Sequence, residues 1–124
     1  MSKWTICLLF AMIWCHVMDD YVLQGLLAQM KQKKWWNEQT TNPLYKYDYI
    51  AALVAHSLSW SFSILIPIIL INPTLPLLPI IYIVNAAIHA FVDDLKANKL
   101  KINLITDQLI HLAQIIVTFV ICIC

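Results

Sequence analysis

No arginine occurs anywhere in this chain of 124 residues; its eight basic residues are all lysines. Without guanidinium groups there is no bidentate grip on phosphate or guanine, and a net charge of only +1 offers no electrostatic substitute. Nucleic acid is therefore excluded as a partner. Charge of either sign is scarce, at 12% of residues, about half the share of an ordinary soluble domain. No Asp, Glu or Lys lies between Trp4 and Met18, between Tyr49 and Val92, or between Gln108 and Cys124. Uncharged apolar runs of about 18 or more residues are candidate membrane spans, since about 20 residues at a rise of 1.5 Å cross a hydrocarbon core of about 30 Å. The lipid bilayer is the expected surroundings, as a mean hydropathy of +0.74 also indicates.

Several chemical signatures are missing too. The four cysteines, Cys7, Cys15, Cys122 and Cys124, have no CxxC spacing and sit in apolar stretches, where they read as small hydrophobes. Cys15 adjoins His16 and is at most a minor soft ligand. No HExxH and no nucleophilic serine motif is present. Lys3 precedes an apolar run, but no small-x-small cleavage site follows, and bulky Trp14 before Cys15 fits poorly with lipoprotein processing. The first segment is expected to be a retained helix.

What remains predicts an all-α, four-helix transmembrane bundle in one domain, with spans at about 4–28, 48–71, 77–95 and 103–124. Asn72-Pro73-Thr74-Leu75-Pro76 reads as a tight turn, and Pro67 falls inside the second span, where it frees one carbonyl. Short sequential connections imply up-down-up-down topology. Lys31, Lys33, Lys34 and Lys46 lie in the first connection, and Lys96, Lys99 and Lys101 in the third. Under the positive-inside rule these loops are cytoplasmic and both chain ends face outward, which predicts a multi-pass protein of an inner, cytoplasmic membrane. Trp35, Trp36, Tyr45, Tyr47 and Tyr49 suggest a short interfacial segment between the first two spans.

Against this apolar background the polar residues form a pattern. His16, Asp20 and Gln24 are spaced by four, as are Asn85, His89 and Asp93, and again Asn103, Asp107 and His111. Such spacing puts each trio on one helix face. His56 stands in the second span, followed by Ser57, Ser59, Ser61 and Ser63. Counted from the lysine loops, the histidines lie roughly 3–18 Å deep at helical rise, all in the cytoplasmic half. An unpaired intramembrane Asp costs roughly 2.5–3.5 kcal/mol on insertion scales, so such groups turn inward and find partners. Asp19 and Asp94 fall off the periodic positions and are expected to point to the headgroups, while Asp48 reads as a helix-start residue. The outer portions of the first, third and fourth spans read as almost wholly apolar.

The residue order resembles the bacterial and phage membrane family called domain of unknown function 3307. His16-x-x-x-Asp20-Tyr-x-Leu-Gln24, the following lysines, His56, His89-x-x-x-Asp93-x-x-Lys96 and Asp107-Gln108-x-x-His111 carry the resemblance over nearly the whole chain. The doubled Asp at 19–20 and 93–94 departs from that pattern. More distantly, the chain is similar to inner-membrane proteins described as metal-dependent hydrolases. The resemblance implies signature positions but no established activity.

Three functions compete at this stage. In the first, a divalent metal is held by His16, His56, His89 and His111 or a subset of them, zinc foremost, with iron or manganese as alternatives. Asp20, Asp93 and Asp107 are then ligands or the catalytic carboxylates of a hydrolase acting on a lipid-linked or membrane-proximal substrate. Gln24, Asn85, Lys96 and Gln108 are the supporting or substrate-facing groups. In the second, the same residues relay protons or cations in a transporter subunit. In the third, the cluster only specifies helix packing in a scaffold protein. A homo-oligomer is compatible with each.

Overall fold

The computed structural model describes residues 3–123, and among them there are six α-helices and no strand. They are α1 (Lys3–Met18), α2 (Leu27–Met30), α3 (Lys33–Gln39), α4 (Asp48–Ile71), α5 (Leu78–Ala97) and α6 (Leu104–Ile123). A π-helical turn, Asp19–Leu23, continues α1, and a 3-10 turn, Pro43–Tyr45, leads into α4. Four stretches are long and apolar enough to cross a membrane: Lys3–Leu23, Pro43–Ile71, Leu78–Ala97 and Leu104–Ile123. Cys124, which closes the fourth expected span, lies outside the described residues.

The helices pack in a ring, with α4 against α1 and α5, and α6 against α5 and α1. Periodicity on α4 shows why. Leu53, His56, Trp60, Ile64 and Ile68 are buried, and steps of three and four place them on one face. Pro67 also sits in α4 without ending the helix. At one end the interior is apolar, built around Met12, Trp60, Ile64, Leu65, Ile68, Ile115 and Phe119. The outward faces are apolar as well: Phe10, Phe62, Phe91 and Val117 are all more than half exposed. Nearer the lysine-bearing connections the interior is filled instead by His16, His56, His89, His111 and four aspartates, all buried.

The first long helix corrects the expected boundary at Ala28. It stops at Leu23, where the Gln24 N–H reaches back to the Asp19 carbonyl at 3.1 Å, an i→i+5 bond that widens the helix. Gly25, the only glycine, follows at φ +47°, a left-handed conformation that glycine adopts without steric cost. The chain turns there into α2, and Lys31 is carried back inside at 5% exposure. That too is a correction, since Lys31 reads in the sequence as a loop charge that sets topology.

Beyond α2, Asn98 at the end of α5 binds the first connection to the third. Its amide donates to the Lys31 carbonyl at 3.1 Å, and its Oδ1 accepts the Lys33 N–H at 2.8 Å. The two lysine-bearing connections thus lie side by side.

Candidate metal centre

Three imidazoles from three helices meet in the polar half. His56 Nε2 lies 3.1 Å from His89 Nε2, and His89 Nδ1 lies 3.2 Å from His111 Nδ1. Asp20 Oδ1 completes a triangle with the first pair, 3.2 Å from His56 Nε2 and 3.8 Å from His89 Nε2. Asp93 Oδ2 is 3.6 Å and 3.7 Å from the same two nitrogens. Two groups of potential ligands result, Asp20–His56–His89 and His89–Asp93–His111, each with its donor atoms within 4.8 Å of one another. The geometry can hold a metal ion.

Each donor is oriented by further contacts. Trp60 lies on the face of α4 one turn after His56, stacks on His89 with centroids 4.2 Å apart, and donates its indole N–H to His16 Nδ1 at 2.8 Å. That bond assigns the His16 proton to Nε2, which donates to Gln108 Oε1 at 3.1 Å. Gln108 in turn donates to Asp20 Oδ2 at 3.3 Å and to Asp107 Oδ2 at 3.0 Å. Both nitrogens of His16 are therefore committed, so it orients Asp20 through Gln108 and has no lone pair for an ion. This separates His16 from the ligand set in which the sequence places it.

Asp19 also departs from expectation. It is 1% exposed, because the π turn brings both adjacent aspartates inward. Its Oδ1 accepts from Ser59 at 2.8 Å and Ser63 at 3.0 Å, and its Oδ2 faces His56 Nδ1 at 3.6 Å. Asp94 stays at the periphery, paired with Lys99 at 3.0 Å.

Two lysines reach the cluster. Lys31 Nζ meets Asp93 Oδ2 at 2.5 Å, and Lys96 Nζ meets Asp107 Oδ2 at 2.5 Å. Asp107 Oδ1 and Asp93 Oδ1 flank His111 Nε2 at 3.4 Å and 3.6 Å. Gln24 donates to the backbone carbonyl of Asp20 instead of facing the cluster.

Asn85 is likewise outside the cluster, correcting its expected place beside the histidines. It forms a knot with Gln114 (2.7 Å) and Thr118 (3.0 Å), while Ser61 donates to the Tyr82 carbonyl at 2.7 Å. The half of α5 and α6 away from the lysine-bearing connections is therefore less apolar inside than its composition suggests.

Charge and hydrogen bonding together show what the cluster lacks. Among the described residues, Asp19, Asp20, Asp93 and Asp107 face two buried or half-buried ammoniums, so the carboxylates outnumber the lysines that reach them. Asp19 Oδ2, Asp20 Oδ1, Asp107 Oδ1 and His111 Nε2 are buried without a hydrogen-bond partner. Uncompensated charge in a low-dielectric interior is costly. A bound cation offsets that excess.

No family model matches the chain, and no curated protein or solved structure matches it either.

Proposed function

We propose that this is a multi-pass inner-membrane protein holding one divalent cation between Asp20, His56 and His89, with zinc the first candidate and iron or manganese the alternatives. The triangle of donors carries this reading. Its edges of 3.1, 3.2 and 3.8 Å bracket the spacing of about 3.3–3.6 Å between donors that each lie about 2.0–2.2 Å from a tetrahedral zinc.

The tautomers follow without conflict. With Nε2 of His56 and His89 turned to the ion, both carry their protons on Nδ1. His56 then points its N–H at Asp19 Oδ2. His89 donates to His111 Nδ1, and His111 points its Nε2–H at Asp107 Oδ1. Each partnerless atom of the cluster gains a complement, the carboxylate–imidazole–metal arrangement that orients ligands in metal sites.

The proposed topology is the up-down bundle with both termini outside, supported by the contact between the two lysine-bearing connections through Asn98. The kinship to domain of unknown function 3307 belongs to the same reading and rests on the order of the His and Asp motifs. Three protein donors leave a fourth position, the arrangement of reactive sites, which suits hydrolysis of a lipid-linked or membrane-proximal substrate. Transport gains less support. Beyond the histidines the interior holds the Asn85–Gln114–Thr118 knot, whose side chains bond to one another and include no titratable group.

Elemental analysis of the detergent-purified chain tests the proposal. Stoichiometric zinc, iron or manganese is expected in the wild type, and its loss in Asp20→Asn and in His56→Gln. A protein that takes up no divalent metal, or variants that retain it fully, would falsify the assignment.

A further inference from the structure

We infer that Lys31 sets the coordination number of the bound cation: it holds Asp93 in an ion pair and so preserves an exchangeable fourth position that a small anion can take. The inference rests on Asp20, His56 and His89 being the ligands. Distance alone does not keep Asp93 out. Its Oδ2 stands 3.6 and 3.7 Å from the two imidazole nitrogens, the same range as the edges of the triangle. What distinguishes the two carboxylates is their partners. Asp20 Oδ1 has no hydrogen bond, whereas Asp93 Oδ2 receives the Lys31 ammonium at 2.5 Å.

The ammonium is built into place. A lysine just past a short connecting helix normally extends into water, yet Lys31 is 5% exposed. The left-handed turn at Gly25 brings it back. Asn98 clamps the segment on both sides, taking the Lys33 N–H and donating to the Lys31 carbonyl, and the Trp36 indole donates to the Met30 carbonyl at 2.7 Å. Lys31 is thus a positioning residue, deciding between an open three-donor site and a closed four-donor one.

Cobalt(II) in place of zinc, bound to the full chain in detergent, gives a visible spectrum that reports its ligands. In the wild type, azide is expected to change that spectrum by entering the fourth position. In Lys31→Met, Asp93 becomes the fourth donor, and azide affinity falls about tenfold or more. Lys31→Arg, which keeps the positive charge, retains the response, and Lys31→Met combined with Asp93→Asn restores it. An azide-insensitive wild type, or a Lys31→Met protein as sensitive as wild type, overturns the inference while leaving the ligands intact. If Lys31→Met does not fold, silence in both wild type and Lys31→Arg overturns it equally. Failure of cobalt to bind the wild type, or equal binding by His89→Ala, overturns the ligand assignment itself and this inference with it.

Discussion

The indole of Trp60 lies against the imidazole of His89, with centroids 4.2 Å apart and planes 17° from parallel. The same indole holds His16 by its N–H, so one side chain fixes both a proposed ligand and the residue that orients Asp20. Trp60→Phe keeps an aromatic ring but removes the donor; Trp60→Leu removes both. Loss of such supporting partners typically weakens metal affinity about 10–100-fold. Trp60→Phe is expected near the lower figure and Trp60→Leu near the upper, measured by calorimetric zinc titration in detergent. Thermal unfolding of the metal-free variants separates this effect from simple loss of packing. Wild-type affinity in Trp60→Leu removes the orienting role.

A different balance governs Lys96 and Asp107. Asp107 is fully buried while the Lys96 side chain is 27% exposed, and they meet at 2.5 Å. Removing one partner of a fully buried ion pair costs about 3–5 kcal/mol, and partial exposure of the ammonium reduces that through solvent screening. Lys96→Met is therefore expected to destabilise the protein by about 2 kcal/mol, read from unfolding in detergent. Lys96→Met together with Asp107→Leu should recover most of the loss, because no unpaired carboxylate remains. A double variant less stable than the single one shows that Asp107 serves His111 more than it serves Lys96.

Much of this was legible in the sequence because membrane burial is a strong constraint. Charge-free runs marked the four apolar stretches, and spacing of four placed His16 with Asp20, His89 with Asp93 and Asp107 with His111 on common faces. Those pairs do converge, within 3.5, 3.7 and 3.4 Å. What escaped depended on departures from regular helix. The π turn brings Asp19 inward beside Asp20, which ideal periodicity assigns to another direction. Gly25 reverses the chain and buries Lys31, although its neighbours Lys33 and Lys34 are ordinary exposed charges. The signal was present in the lone glycine between an apolar run and a lysine cluster. Trp60 was readable as well, four residues after His56, but a tryptophan in a membrane helix is ordinarily counted with the lipid-facing apolar residues. Discrimination among the histidines needed tertiary geometry, since only the Trp60 and Gln108 contacts show that His16 is already satisfied.

Topology gives a separate test of the membrane reading. The Asn98 contacts hold the first and third connections together, and the intervening 72–77 turn follows the other end of α4. Single cysteines at Lys34, Thr74 and Lys99, in a chain whose native cysteines are replaced, report their side through an impermeant thiol reagent. Positions 34 and 99 are expected to label only from the cytoplasmic side, and position 74 only from the opposite side. Labelling of 34 and 99 from different sides removes the proposed orientation and the shared depth of the histidines with it.

Acid should release the metal, because a proton and a cation compete for the same imidazole lone pair. The proposed ligand atoms His56 Nε2 and His89 Nε2 must both be unprotonated to bind. Affinity is therefore expected to fall as the pH is lowered, by up to about two log units per pH unit, one for each proton displaced. Calorimetric zinc titrations at neutral and acidic pH, repeated in buffers of different ionisation enthalpy, count the protons released. His89→Gln leaves one imidazole ligand, so any residual binding should lose about half of that pH slope. Binding that releases no proton at any pH tested counts against the two imidazoles as ligands.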